Sequence, residues 1–270
     1  MRNEGVKMRN TGAMKAVIRK DIRGITTNRR LFAALLIVPL ILTIVIPSIF
    51  MCAIHFAPDD PDILRMLEML PVSERQGSLE LSIAGMLFNY VFPMFFLIIP
   101  IMTASIMAAS SFVGEKEKHT LETLLYCPLS VREIFQAKVL ASFCLSMFVS
   151  LVSFAAMTVV LEIEAAVLMG SPVMPDAGWL VILFLLSPAI VLIAVTLIVR
   201  GSAKAQSVEE SQQSAVFLVV PLVLLMAGQF TGVMLLNVWI LLLMSVLCAL
   251  LAWVLLRKSM KKFTYEKLLK

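Results

Sequence analysis

The chain has 270 residues, 60% of them hydrophobic and only 15% charged, and its mean hydropathy is +0.95. A water-soluble globule carries roughly 25% charged residues, so this composition excludes an ordinary soluble domain and points to a membrane protein. The net charge of +5 is small, and its segregation along the chain argues for membrane orientation rather than for nucleic acid.

The first 30 residues hold nine of the 23 Lys and Arg. Within them "MKAVIRKDIRGITTN", residues 14–28, puts Met14, Val17, Ile18, Ile22 and Ile25 on one helical stripe, with Lys15, Arg19, Lys20 and Arg23 filling the rest. That is the pattern of an amphipathic helix lying among lipid headgroups. A solvated basic leader is the plainer reading of the same residues.

Six stretches without Asp, Glu, Lys, Arg or His follow, near 31–54, 82–113, 139–160, 179–199, 214–230 and 238–256. Each meets or approaches the about 20 residues that one helical crossing needs. They are solid and rich in Leu, Ile, Val and Met rather than alternating, which predicts helices and not barrel strands. The expected fold is an all-α membrane protein with six transmembrane helices in a single domain. It has an N-terminal segment (1–30), a six-helix membrane domain (31–256) and a basic tail (257–270). The first run is far longer than a signal-peptide core, so it is expected to stay attached as a span.

The loop at 57–81 contains "PDILRMLEMLP", a short amphipathic helix fenced by Pro61 and Pro71, suited to tidying the surface or capping an exit path. In the second run Gly85, Asn89 and Pro93 recur at a spacing of four, ahead of Pro100, and proline permits a bend. Asn89 has two open uses, a gate or cargo contact and a hydrogen bond between helices. Along the third run Ser142, Ser146, Ser150 and Ser153 share one face, which serves close helix packing or, less commonly, pathway lining. Asn89, Pro93, Ser146 and Ser150 are therefore the candidate pathway or gate residues. No ionisable side chain falls inside the six runs, so coupling to protons or sodium through a buried carboxylate, a metal centre and intramembrane proteolysis all lack support. The four cysteines form no CxxC pair and read as small apolar fillers.

Between the second and third runs lies "SFVGEKEKHTLETLLYCPLSVREIFQAK", residues 111–138, with four basic and four acidic side chains. Gly114 is expected to end the second span. "EKEKHTLETLLY" then predicts about three helical turns before Cys127-Pro128, because proline disfavours helix in the residue before it. Ser130-Val131-Arg132-Glu133 is a capping box, so a new helix should start there and run through Lys138 into the third span. Leu121, Leu124 and Leu125 share a face of the first helix. Leucines facing water call for a cover, supplied by a partner or by the protein's own helices.

Counting Lys and Arg by loop places 21 of the 23 on one side. Basic loops stay cytoplasmic, so both termini and residues 111–138 are expected there. The two sides carry about +12 and −7, which draws the basic side to anionic lipid.

"GEKEKHTLETLLYCPLSVREIFQAKVL" resembles the loop motif of ABC transporter permeases of the type-2 family, which includes the sodium-efflux and the drug or peptide export permeases. "IRKDIRGITTNRRLFAALLIVPLILTIVIP" is similar to that family's basic interfacial helix leading into a proline-bearing first span. The resemblance covers essentially the whole chain. It implies the permease subunit of an ATP-driven transporter of the cell membrane, with export as the expected direction. Its partners would be two copies of a separate ABC ATPase and a second permease copy, identical or related. Glu115, Lys116, Glu117, Lys118, Thr120, Leu121, Glu122, Leu124 and Leu125 would form the coupling helix seated in a groove of the ATPase. Met14, Val17, Ile18, Arg19, Lys20, Ile22 and Arg23 would belong to the interfacial helix beside it. This chain has no GxxxxGK[ST] cradle, so it is expected to bind no cofactor itself and to be no enzyme, with ATP and Mg held at the partner ATPase. An ATP-independent carrier or channel is the alternative. The uncharged spans lean towards a lipophilic cargo.

Overall fold

A peptide chain in hydrocarbon has no water to satisfy its N–H and C=O groups, so each crossing closes its own hydrogen bonds as a helix. Every element among the described residues is helical. The computed structural model describes residues 2–57, 60, 61, 65, 78–117, 120, 129–202, 205, 207–230 and 238–262, with side chains from Gly12 onward except at 214, 229, 230, 261 and 262. The expected short helix at 61–71 and the leucine-bearing helix after Glu117 lie almost wholly outside these residues.

Helix α1 spans Arg2–Thr27. Among the described residues six helices long and apolar enough to cross a membrane follow: α2 (Arg29–Phe56), α3 (Leu79–Glu117), α4 (Val131–Met169), α5 (Ala177–Ser202), α6 (Val208–Gly228) and α7 (Val238–Met260). All six correspond to the expected runs, and most extend past them. The expected spans stop at the first charged side chain, whereas a helix stops only where its backbone is capped or broken. Gly114 thus lies inside α3, which continues to Glu117. At 39 residues each, α3 and α4 are about 58 Å long at 1.5 Å per residue, roughly twice the hydrocarbon thickness.

The centre of the bundle is α3. Its most apolar window is 78% buried, against 18% for α6 and 17% for α7. Helices α4 and α5 pack along α3, and α7 packs on α5. Phe217, Leu224, Trp239 and Leu243 remain exposed on the outer helices, as a lipid-facing surface requires. Cys52, Cys144 and Cys248 are free thiols on different helices, and Cys127 is outside the described residues.

Local signals set the helix ends. Asn28 leaves helical geometry and its side chain accepts from the N–H groups of Arg30 and Leu31, separating α1 from α2. Gly170, at a φ of 74°, closes α4 in the left-handed region that glycine adopts without strain. Asp176 then caps α5 by accepting from Ala177 N–H at 2.6 Å.

At the start of α4 the capping box is formed. Ser130 Oγ accepts from Glu133 N–H at 3.3 Å, and Glu133 Oε2 accepts from Ser130 N–H at 2.8 Å. Replacing Ser130 with alanine should cost about 1 kcal/mol of stability, read as a shift in the unfolding midpoint in detergent, and Ser130→Asp should keep most of it. Equal midpoints for the serine and alanine proteins would contradict the box.

Among the described residues three spans carry a π turn ending two residues before a proline: Ile41–Val45 before Pro47, Leu87–Val91 before Pro93, and Ile182–Leu186 before Pro188. Proline lacks an N–H and crowds the carbonyl four residues earlier, and a wider turn accommodates both. In α3 the N–H of Phe92 reaches back to Leu87 O. The Phe88 carbonyl thereby loses its usual donor, and Pro93 has none to offer. Trp179 Nε1 from α5 donates to it instead, at 3.1 Å.

Candidate coupling site

Lys20 and Asp21 of α1, Glu115 near the end of α3 and Lys138 near the start of α4 meet at one end of the bundle, the basic end. Val17 of α1 packs with Leu129, Ile134 and Ala137, and Ile25 joins the main core. Between them on the same stripe sits Asp21, four residues from each, with a side chain only 3% exposed. Glu115, at 8%, and Lys138, at 2%, complete a buried trio.

The contacts within it are short. Lys138 Nζ lies 2.7 Å from Glu115 Oε2 and 3.7 Å from Asp21 Oδ2. It also donates to the Ser111 carbonyl at 2.5 Å and to Ser111 Oγ at 3.2 Å. Ser111 Oγ in turn donates to Asp21 Oδ2 at 2.6 Å, and the Phe112 ring lies 5.3 Å below the ammonium. Two carboxylates and one ammonium leave a net negative charge. Lys20 offsets it from the rim, half-exposed, by bonding Glu115 Oε1 and standing 3.8 Å from Asp21 Oδ1. Charges taken out of water are tolerated only when paired and hydrogen bonded in this way. The cluster therefore pins α1, α3 and α4 to one another just where the polar segment leaves α3.

The expected coupling residues divide. Glu115 turns inward to Lys138. Glu117 Oε1 accepts from Val208 N–H at 3.0 Å and so reaches the first turn of α6. Lys116 is half-buried. The N–H of Thr120 returns to Glu115 O at 3.0 Å. Lys118, Leu121, Glu122, Leu124 and Leu125 are outside the described residues. On α1 Val17 is buried, Met14, Ile18 and Ile22 are half-buried, and Arg19, Lys20 and Arg23 are exposed. The amphipathic pattern was legible; Asp21 on its buried face was not singled out, although a lone carboxylate midway between Val17 and Ile25 is the signal for it.

The candidate gate residues lie elsewhere. Asn89 is 26 residues before Glu115 in α3, about 39 Å along the helix. Its Oδ1 accepts from Asp176 N–H at 2.8 Å and its Nδ2 donates to Met174 O at 3.4 Å, so it holds the turn between α4 and α5. A cavity of about 580 Å³ opens there, lined in part by Gly85, Asn89, Tyr90 and Met174. Nearby, His55 Nδ1 stands 3.2 Å from Glu80 Oε2 and joins α2 to α3. Pro93 is buried one turn along. Ser142, Ser146, Ser150 and Ser153 are all sealed inside the bundle, and Ser150 Oγ donates to Ser146 O at 2.9 Å.

The chain matches the family described as ABC-2 family transporter protein over residues 15–243. It belongs to that family. No curated protein and no solved structure matches it. An ABC-2 membrane domain is a transmembrane permease subunit with no ATPase of its own, and its family implies an ABC ATPase partner. The match runs from within α1 into α7, so the buried trio and both long helices of this ABC-2 permease lie inside it.

Proposed function

We propose that this ABC-2 permease is the exporter subunit of a cell-membrane complex in which two ATPase copies, binding ATP and Mg, drive two permease copies, identical or related. In this reading its basic end faces the cytoplasm, which the distribution of Lys and Arg supports. Residues 115–125 seat in the ATPase, and cargo passes at the permease dimer seam. The gate falls to Asn89, in the π turn of α3, and to Pro93 just after it, and the inner pathway to Ser146 and Ser150, which the packed bundle buries.

One observation carries this reading: the polar segment after Glu117 grows out of a buried ion cluster that also grips α1 and α4. A push on that segment reaches Glu115 first. Because Glu115 is bonded to Lys138 and Lys20, the displacement passes into α4 and α1 rather than bending the end of α3 alone. Prolines and π turns in α2, α3 and α5 supply bends in the far half.

The test is co-purification with the ABC ATPase partner that the family implies. Leu121→Asp or Leu124→Asp inserts a charge into an apolar contact of the kind that costs at least about 2 kcal/mol, so retention should fall at least about thirtyfold and ATP-dependent transport should stop. Undiminished retention and transport in both variants would remove residues 115–125 from the coupling role.

A further inference from the structure

We infer that the groove along the free flank of α1, about 420 Å³ in volume and lined by Lys15, Ile18, Arg19, Ile22, Arg23 and Thr26, binds the headgroup of an anionic phospholipid. The cations of α1 are treated unequally by the fold. Lys20, on one flank, is neutralised by Glu115 and Asp21. Lys15, Arg19 and Arg23, spaced four apart on the other flank, have no acidic partner among the described residues. Side chains at that spacing stand about 5–6 Å apart, close enough for two of them to share one phosphate. A guanidinium presents paired donors that match phosphate oxygens.

The floor of the groove is apolar. Ile18 and Ile22 are half-buried and packed at the edge of the main core, leaving one side free for a glycerol backbone and the first methylenes. Thr26 directs its hydroxyl proton to the carbonyls of Ile22 and Arg23, so recognition falls to the three cations. The groove also lies at the right depth: α1 ends at Thr27, and the apolar run of α2 begins at Leu31. An acidic protein surface would match the charges but has no use for an isoleucine floor at the edge of a span. Lipid therefore suits the groove best.

Because Asp21 occupies the opposite face of the same helix, a lipid in the groove holds α1 against α3 and α4 and stabilises the ion cluster. The site stands independently of the transport reading, since it requires only a membrane.

The experiment measures binding of a short-chain phosphatidylglycerol to the full-length chain in zwitterionic micelles by native mass spectrometry, with phosphatidylcholine of equal chain length and inorganic phosphate as comparisons. The triple variant Lys15→Gln/Arg19→Gln/Arg23→Gln should lose about tenfold or more in phosphatidylglycerol affinity. Its phosphatidylcholine adducts should be unchanged. The variant Arg132→Gln/Arg257→Gln/Lys258→Gln removes equal charge from other helices, outside the groove lining, and should change affinity less than about threefold. These six are exposed side chains, so the fold survives, as circular dichroism would verify. The proposal is overturned by equal losses in the two triple variants, by unchanged affinity in the first, or by inorganic phosphate displacing the lipid at equal concentration. It is also overturned if the first variant keeps its lipid but loses the ATPase, since an acidic protein surface would then be the occupant.

Discussion

Replacing Lys138 with methionine should lower the unfolding free energy by about 3–5 kcal/mol. Methionine fills nearly the same space, so the loss is electrostatic. Asp21 and Glu115 stay buried, with the half-exposed Lys20 the one cation left beside them among the described residues, and Ser111 loses the ammonium that bonds its carbonyl and hydroxyl. Thermal unfolding in detergent reads this as a fall of roughly 10 °C. Pairing Lys138→Met with Glu115→Gln removes one charge of each sign, so the double variant should be more stable than the single by at least about 1 kcal/mol, the non-additivity expected of contacting partners. Lys138→Arg keeps the charge and should sit between. A single variant within about 0.5 kcal/mol of the parent would mean that the buried trio is not held by its charges. If the cluster also transmits the ATPase stroke, the double variant should stay folded yet show weakened ATP-dependent transport.

The second large effect is expected at Trp179. The side chain is 1% exposed and its ring touches those of Phe88, Phe96 and Phe154 at centroid distances of 5.7, 5.5 and 5.0 Å. Within a bilayer the helices gain little from leaving lipid, so shape-matched contacts of this kind carry the association. Trp179→Ala should cost about 3–5 kcal/mol, as aromatic truncations in packed cores do. Trp179→Phe keeps an aromatic ring but withdraws the N–H from the Phe88 carbonyl, the one left over by the π turn and Pro93. That buried acceptor should cost about 1–3 kcal/mol on its own. Unfolding of both variants in one detergent separates the terms. Should Trp179→Phe match the parent, the hydrogen bond to Phe88 carries no weight; should the two variants coincide, the rings carry none.

Much of the fold could be read from the chain alone because its signals are local. A run such as 238–256 can only be a helix in hydrocarbon, and Ser130 and Glu133 are close enough in sequence to cap without help from anything else. The serine row of α4 was likewise legible as one face, and all four hydroxyls are buried together. Pro47 and Pro188 were visible but uninformative, and Pro93 was read as permitting a bend, since a proline marks where a helix must adapt without saying how. The π turns before them depend on where neighbouring helices can accept a displaced carbonyl, as Trp179 does for Phe88. Asn89 was legible as an oddity, and its tie to Met174 and Asp176, 85 and 87 residues away, was not.

The same division explains the charges. Reading the chain treats Glu115 and Lys138 as markers of where a span ends, because a lone charge has no place in lipid. Asp21, Glu115 and Lys138 are not alone, but they come from three helices, and nothing within a few residues of any of them records the other two. By itself the sequence determined six helices long and apolar enough to cross a membrane and the capped start of α4, both of which follow from solvation and short-range hydrogen bonding. Only the tertiary structure decided which charges are sealed inside and which of Lys15, Arg19, Lys20 and Arg23 meet an acid among the described residues, because pairing energy depends on distances that exist only once the helices have packed.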